Sequence, residues 1–98
     1  MPSEEYKALQ QAANELGPRL EEELRREFPL ARRYEVAVAY GAGLDKNHQL
    51  AMRFNIQSGR RLTSQMGKDL VAHAEAKVAE WQPKLKAEVN CAGLGRMD

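Results

Sequence analysis

The chain is poor in the residues on which disulfide-bonded, membrane-spanning and metal-binding proteins depend. Its 98 residues include one cysteine, two histidines and 6% aromatic residues. A lone Cys91 excludes a disulfide within this chain and suits a reducing compartment. The apolar stretches are too short to cross a bilayer, and the acidic N-terminus "MPSEEYKALQ" is unlike a signal peptide. We therefore expect a soluble cytoplasmic protein with no membrane partner, from a bacterium or from a virus that infects one.

Candidate catalytic and metal-binding residues are equally scarce. His48, His73 and Cys91 are the soft metal ligands, and their spacing is not that of a zinc site. The Cys91 thiol has no predicted helix N-terminus or basic neighbour to activate it. The glutamates at 21–23 are consecutive, so on a helix they point in different directions. The sequence therefore predicts no enzyme activity, no metal and no cofactor, and the histidines are expected to be hydrogen-bonded or solvated.

An excess of one charge is also missing, but the two signs are segregated along the chain. The net charge is +1, yet residues 1–29 carry seven acidic and four basic side chains, and residues 30–63 carry two acidic and six basic ones. This separation favours an acidic partner or head-to-tail contacts between copies. The alternative is that the two regions neutralise each other within one fold.

A first helix, kinked at Pro18, is predicted over residues 3–28. Ser3 is a suitable N-cap, and apolar residues recur at steps of three and four from Tyr6 to Phe28. Pro18 removes one backbone hydrogen bond, but the apolar stripe keeps its register across it.

A β-hairpin over residues 33–56 and a second helix are predicted next. Apolar and polar residues alternate at 33–40 and at 49–56, on either side of the turn "GAGLDKNH". Apolar residues at helical spacing then predict a helix over 64–90, kinked near Pro83, and we expect the tail 91–98 to fray.

These elements predict one α+β domain over residues 1–98, with helix–β-hairpin–helix (αββα) order. Two amphipathic helices would pack on a two-stranded antiparallel sheet, with Trp81 as a core anchor. Such a sheet is marginal alone and has open edges. We therefore expect a homodimer that joins two hairpins into a four-stranded sheet, and dimerisation through the helices is the alternative.

The helix–strands–helix order, with a loop "GAGLDKNHQ" and Lys68 opening the second helix, resembles the double-stranded RNA-binding domain over residues 34–82. The third strand of that family would fall at "RRLTSQ", which has no strand pattern, and its lysine-rich helix start is reduced to Lys68. The resemblance therefore assigns no family.

Basic side chains form the one candidate binding set. Two arginines precede the first predicted strand and two follow the second, so antiparallel pairing would gather four guanidinium groups at the base of the hairpin. Guanidinium groups suit phosphates and carboxylates. With the basic residues of the turn and of the second strand, the predicted set is Arg32, Arg33, Lys46, His48, Arg53, Arg60 and Arg61.

Together these features predict a small non-enzymatic interaction protein. It would be an accessory, regulatory or inhibitory protein that docks on a larger complex, and its size fits a phage or mobile-element origin. The alternative is a nucleic-acid backbone-binding protein that uses the arginine cluster. The near-neutral isoelectric point of about 7.9 and the shortage of aromatic residues for base stacking argue against that alternative.

Overall fold

The computed structural model describes residues 3–92, and within them the α+β class is confirmed. Three helices and three strands lie in this range. The elements are α1 (Glu4–Glu27), α2 (Pro29–Arg33), β1 (Ala37–Leu44), β2 (Leu50–Gln57), α3 (Ser64–Trp81) and β3 (Ala87–Cys91). The strands form one mixed sheet in the order β1-β2-β3, in which β1 and β2 are antiparallel and β2 and β3 are parallel. The sheet therefore has three strands instead of the predicted two.

The first helix begins as predicted, and a second, short helix follows it. The Ser3 hydroxyl accepts the Tyr6 N–H over 3.0 Å, and α1 then continues through Pro18 to Glu27. Pro29 opens α2, which occupies the segment between the predicted first helix and the predicted hairpin and overlaps the hairpin only at Arg33. Proline suits the first turn of a helix because its φ is already helical and its missing N–H has no partner there.

The first strand begins and ends four residues later than predicted. After α2 the chain turns at Glu35, which adopts a left-handed φ of 55°. The glycines of the predicted turn lie inside β1, so the loop between β1 and β2 comprises only residues 45–49. In the antiparallel register of the two strands, Tyr40 of β1 lies opposite Phe54 of β2.

The C-terminal part of the second predicted helix is a strand. Helix α3 ends at Trp81. The next residue, Gln82, precedes Pro83, and a residue before proline disfavours the helical conformation. Residues 87–91 then pair with β2 as a parallel strand. The frayed tail was predicted to start at residue 91, which is too early because Cys91 belongs to β3. Residues 93–98 of the predicted tail lie outside the described residues.

The sheet edges that motivated the predicted dimer are occupied within the chain. Strand β3 fills one edge of the hairpin, and side chains of α1 cover the other edge. The Glu21 carboxylate accepts the Val38 N–H over 2.9 Å, and the Gln10 amide oxygen accepts the Ala42 N–H over 3.0 Å. Dimerisation is not confirmed and stays a prediction.

The core lies between the helices and one face of the sheet. Trp81 is only half-buried at its margin, with the Arg19 guanidinium carbon 4.0 Å from the ring centre, so its predicted role as a core anchor is wrong. The largest fully buried side chains are Phe54, Leu20, Leu24, Met52, Ile56, Leu62, Val36 and Val78. None of the helices within residues 3–92 has the length and apolar character needed to span a bilayer.

Candidate functional site

Two pairs of arginines lie at one end of the molecule, which we call the arginine end. Arg32 and Arg33 form the last turn of α2, and Arg60 and Arg61 lie in the turn after β2. The two segments are tied together by the Gly59 N–H, which donates to the carbonyl oxygen of Tyr34 over 2.9 Å. Both pairs are therefore held at the same end of the sheet by backbone structure.

None of the four arginines of the arginine end is ion-paired in the part of the chain that the structure describes. All four are exposed. The acidic side of α1 is engaged elsewhere: Glu21 pairs with Arg25, and both Glu23 and Glu27 pair with Arg26. The sequence left open that acidic residues of α1 neutralise these arginines within the chain. Residues 3–92 do not show such pairing.

Helix α3 adds to the positive potential of this end. The Thr63 hydroxyl caps it by accepting the Met66 N–H over 3.2 Å, and its first turn contains no acidic residue. The N-terminus of a helix carries a partial positive charge. The partial charge of α3 therefore has the same sign as the neighbouring Arg60 and Arg61.

A small apolar pocket lies beside the arginines. Its cavity volume is about 120 Å³, and its walls come from α2 and from the first turns of α3. Leu30 is one of its residues and has 42% of its surface exposed. The lining residues are Phe28, Pro29, Leu30, Ala31, Val36, Met66, Asp69 and Leu70. Sequence reasoning missed this pocket, although the apolar run "FPLA" directly before "RR" was a signal for it.

The pocket residue Phe28 contacts a histidine that is hydrogen-bonded to a buried carboxylate. Its ring meets the His73 ring edge-on with centroids 5.5 Å apart, and His73 Nε2 lies 2.8 Å from Glu23 Oε2. The Glu23 side chain is only 7% exposed. Its hydrogen bond with His73, helped by the charge of Arg26, lowers the Glu23 pKa despite burial. His73 is thus hydrogen-bonded in the structure, where it positions a wall of the pocket.

Two other residues of the predicted set lie at the opposite end of the sheet. Lys46 and His48 belong to the loop 45–49, whereas the arginine end adjoins the start of β1. An eight-residue strand separates the two ends by ~24 Å. The structure therefore does not join Lys46 and His48 to the arginines.

The loop 45–49 is fixed by a buried carboxylate. The Asp45 side chain accepts the N–H groups of Gln49 and Asn47 over 3.0 and 2.8 Å, and Lys86 Nζ lies 3.2 Å from its other oxygen. These hydrogen bonds, led by the one from Gln49, lower the Asp45 pKa. The contacts tie the loop to the segment before β3.

Arg53, the remaining predicted residue, is paired on the uncovered face of the sheet. Its Nε lies 3.5 Å from Glu88 Oε1, and Glu88 also accepts the Lys46 N–H over 3.0 Å. The hydrogen bonds from Lys46 and then Asn90 lower the Glu88 pKa. Arg53 is thus engaged with β3 and is separate from the arginine end.

Metal and thiol chemistry receive no structural support within residues 3–92. No three His, Cys, Asp or Glu side chains in this range come close enough together to hold a metal ion. Partial burial raises the pKa of the Cys91 thiol, which disfavours the reactive thiolate.

Comparison with protein families, with curated proteins and with solved structures finds no match to this chain. Its site must therefore be interpreted from its own geometry.

Proposed function

We propose that this chain is a small non-enzymatic interaction protein, an accessory or inhibitory protein that docks on a larger complex through its arginine end. The observation that carries the proposal is the set of four exposed arginines, held together by the backbone and without a carboxylate partner in residues 3–92.

The energetics of such a cluster favour an external partner. At about 0.15 M salt, repulsion between exposed charges is screened beyond ~8 Å, so the fold tolerates the four arginines. Exposed charges stabilise a fold by only about 0–1 kcal/mol even when they are paired, and these are unpaired in the described chain. A surface that contributes so little to the monomer is suited to an acidic partner.

Affinity capture tests this proposal with variants matched in charge. The chain would be immobilised and exposed to a nuclease-treated extract of the cells that encode it. The variants are Arg32→Gln with Arg33→Gln, Arg60→Gln with Arg61→Gln, and the control Lys46→Gln with Lys84→Gln. We expect a protein bound by the parent and by the lysine control to be lost from both arginine variants. Equal capture by all of them would contradict a docking role for the arginine end.

Nucleic acid is the alternative outcome for the same surface. Non-specific backbone binding has a dissociation constant of roughly 10⁻⁴–10⁻⁶ M at physiological salt and weakens steeply as salt is raised. We expect a labelled 20-base-pair duplex and a 20-nucleotide single strand to bind more weakly than this range. Tighter binding that is lost in both arginine variants would establish a nucleic-acid backbone binder instead.

We keep the homodimer as a second proposal, on a different edge from the one first expected. Lys86 O accepts the Met52 N–H, and the Ala92 N–H donates to Ile56 O, each over 2.8 Å. The backbone groups of residues 86, 88, 90 and 92 therefore face β2, and those of 87, 89 and 91 face outward. This outer edge of β3 is where a strand of a second copy would pair.

A further inference from the structure

We propose that the arginine end binds an acidic peptide segment that inserts one bulky apolar side chain into the pocket between α2 and α3. This inference rests on the proposed function and names the chemistry of the partner.

Each of the two walls of the pocket is continuous in the chain with an arginine pair. One wall is formed by residues 29–31 of α2, and Arg32 and Arg33 follow directly. The other wall includes Met66 of α3, and Arg60 and Arg61 lie just before the cap of that helix. A residue held in the pocket would therefore lie between two chain segments that each carry an arginine pair.

The size of the pocket fits one side chain. An apolar cavity of about 150 Å³ takes up a benzene ring, so a pocket of about 120 Å³ has room for one leucine, isoleucine or methionine side chain. Leu30 is also among the few large apolar side chains exposed in residues 3–92. A partner that covers Leu30 would remove that apolar surface from water.

The charges around the pocket select an acidic segment. Against the four arginines, the carboxylates next to these residues are Asp69 in the pocket wall, Glu35 beside the Gly59 turn, and Glu27, which precedes Phe28 and is paired with Arg26. Asp69 already accepts a hydrogen bond from the Gln65 side chain over 2.8 Å. The surplus at this end is positive, so acidic residues on both sides of the anchor would meet arginines.

A second copy of the chain is a poorer occupant than an acidic partner protein. Three of the acidic residues of its α1, Glu21, Glu23 and Glu27, are already paired with an arginine of their own helix. Releasing them would break those contacts, and for Glu23 also its hydrogen bond with His73. Glu15 and Glu22 are exposed, but on a helix with no apolar anchor side chain exposed beside them. A phosphate backbone supplies charge but no side chain for the pocket.

Three synthetic peptides separate the two parts of the inference. The first is a 13-residue peptide of glutamate and serine with a central leucine. The second has serine in place of the leucine, and the third has glutamine in place of each glutamate. Each would be titrated at about 0.15 M salt into the full chain carrying labelled leucine and methionine methyl groups, followed by NMR. The same titration with a 20-base-pair duplex tests nucleic acid.

We expect the leucine peptide to shift the methyl signals of Leu30, Met66 and Leu70, while Leu44 at the far end of β1 is unchanged. Burial of a leucine side chain predicts at least about tenfold tighter binding than for the serine peptide. The glutamine peptide should bind at least about tenfold more weakly than the leucine peptide. Leu30→Ala should reduce the preference for leucine, and Leu44→Ala, at a residue 52% exposed, is the matched control.

The outcomes separate this inference from the proposed function. Equal binding of the leucine and serine peptides, both lost in the arginine variants, would overturn the anchor pocket and leave acidic docking intact. No binding of either glutamate peptide, or unchanged binding in the arginine variants, would overturn both. If only the duplex shifts the signals of Leu30 and Met66, the ligand of this surface is nucleic acid and not an acidic peptide.

Discussion

Helix propensity does not explain why a glycine occupies position 17. Gly17 lies buried in the middle of α1, where glycine destabilises a helix by about 1 kcal/mol relative to alanine. The Tyr40 ring of β1 packs directly against it, and a Cβ at this position would overlap the ring. Gly17 is therefore a contact point between α1 and β1.

We expect Gly17→Ala to lower the stability of the fold. Overpacking costs about 1–3 kcal/mol, which outweighs the gain in helix propensity of about 1 kcal/mol. Urea unfolding measures the difference. In a Tyr40→Ala background the same substitution should become stabilising, because the ring is gone. Gly41→Ala, where the nearest Gln10 atom would be 3.6 Å from the new Cβ, is the tolerated control. A loss that persists without the Tyr40 ring would rule out this explanation.

Asp45 predicts how stability depends on pH. Its folded pKa is lowered below the ordinary value of 3.8 by the N–H groups of Gln49 and Asn47 and by Lys86. A lowered pKa means that the ionised form stabilises the fold above the ordinary pKa, and that this contribution is lost as pH falls through the folded pKa. We therefore expect Asp45→Asn to destabilise the protein at pH 6–7, and the difference from the parent to shrink below pH 4. Asp69→Asn, at an exposed carboxylate, is the control. A difference that stays constant down to pH 2 would contradict this role.

At the scale of elements, the sequence predicted what depends on local pattern and missed what depends on tertiary contacts. The ends of helix α1 and strand β2 lie within about one residue of their predicted positions. In each of them the apolar residues follow a single spacing, helical in α1 and alternating in β2. In the last element two periods coincide: Leu85 and Val89 are four residues apart, and residues 85, 87, 89 and 91 also alternate. Pro83 decides between them, since α3 ends before it.

The candidate site divides in the same way. The antiparallel pattern was enough to predict two arginine pairs at one end. The pocket was not predictable from it, because no helix had been predicted between residues 28 and 33, and the pocket lies where α2 meets α3. Likewise, the pairing of Arg53 with Glu88 requires β3, which the helical interpretation had removed.

Hydrogen exchange tests the assignment of β3. In the parallel ladder the N–H groups of Glu88 and Asn90 face β2, and those of Val89 and Cys91 face outward. Pairing with a second copy would also protect the outward groups, so exchange is measured at a concentration where the chain is monomeric. There we expect the Glu88 and Asn90 amides to exchange at least about tenfold more slowly than the other two. Equal protection of all four amides in the monomer would indicate the helix that the sequence pattern had suggested.

At the scale of the whole molecule, the outer edge of β3 predicts the oligomeric state. Light scattering at about 100 µM should give twice the 11.1 kDa of one chain. Ala87→Pro removes an outward N–H from this exposed edge, and proline is tolerated on edge strands, so this variant should be monomeric and folded. A monomeric mass for the parent chain would reject the dimer.

Charged side chains in residues 3–92 include a paired group on α1 and an unpaired group at the arginine end. Glu21, Glu23 and Glu27 of α1 are paired with arginines of their own helix, while the arginine end has no ion-paired carboxylate within residues 3–92. The central claim is therefore that these four arginines serve binding and are dispensable for folding.

The most direct test is the amide NMR spectrum of a variant with Arg32, Arg33, Arg60 and Arg61 all changed to Gln, recorded before and after addition of the acidic leucine peptide. Because exposed unpaired charges add little to stability, we predict a folded spectrum that differs from the parent only near the four sites. We further predict that the peptide, which shifts the signals of the parent, leaves this spectrum unchanged. A collapsed spectrum would show that the arginines are structural, and peptide-induced shifts equal to those of the parent would show that binding lies on another face.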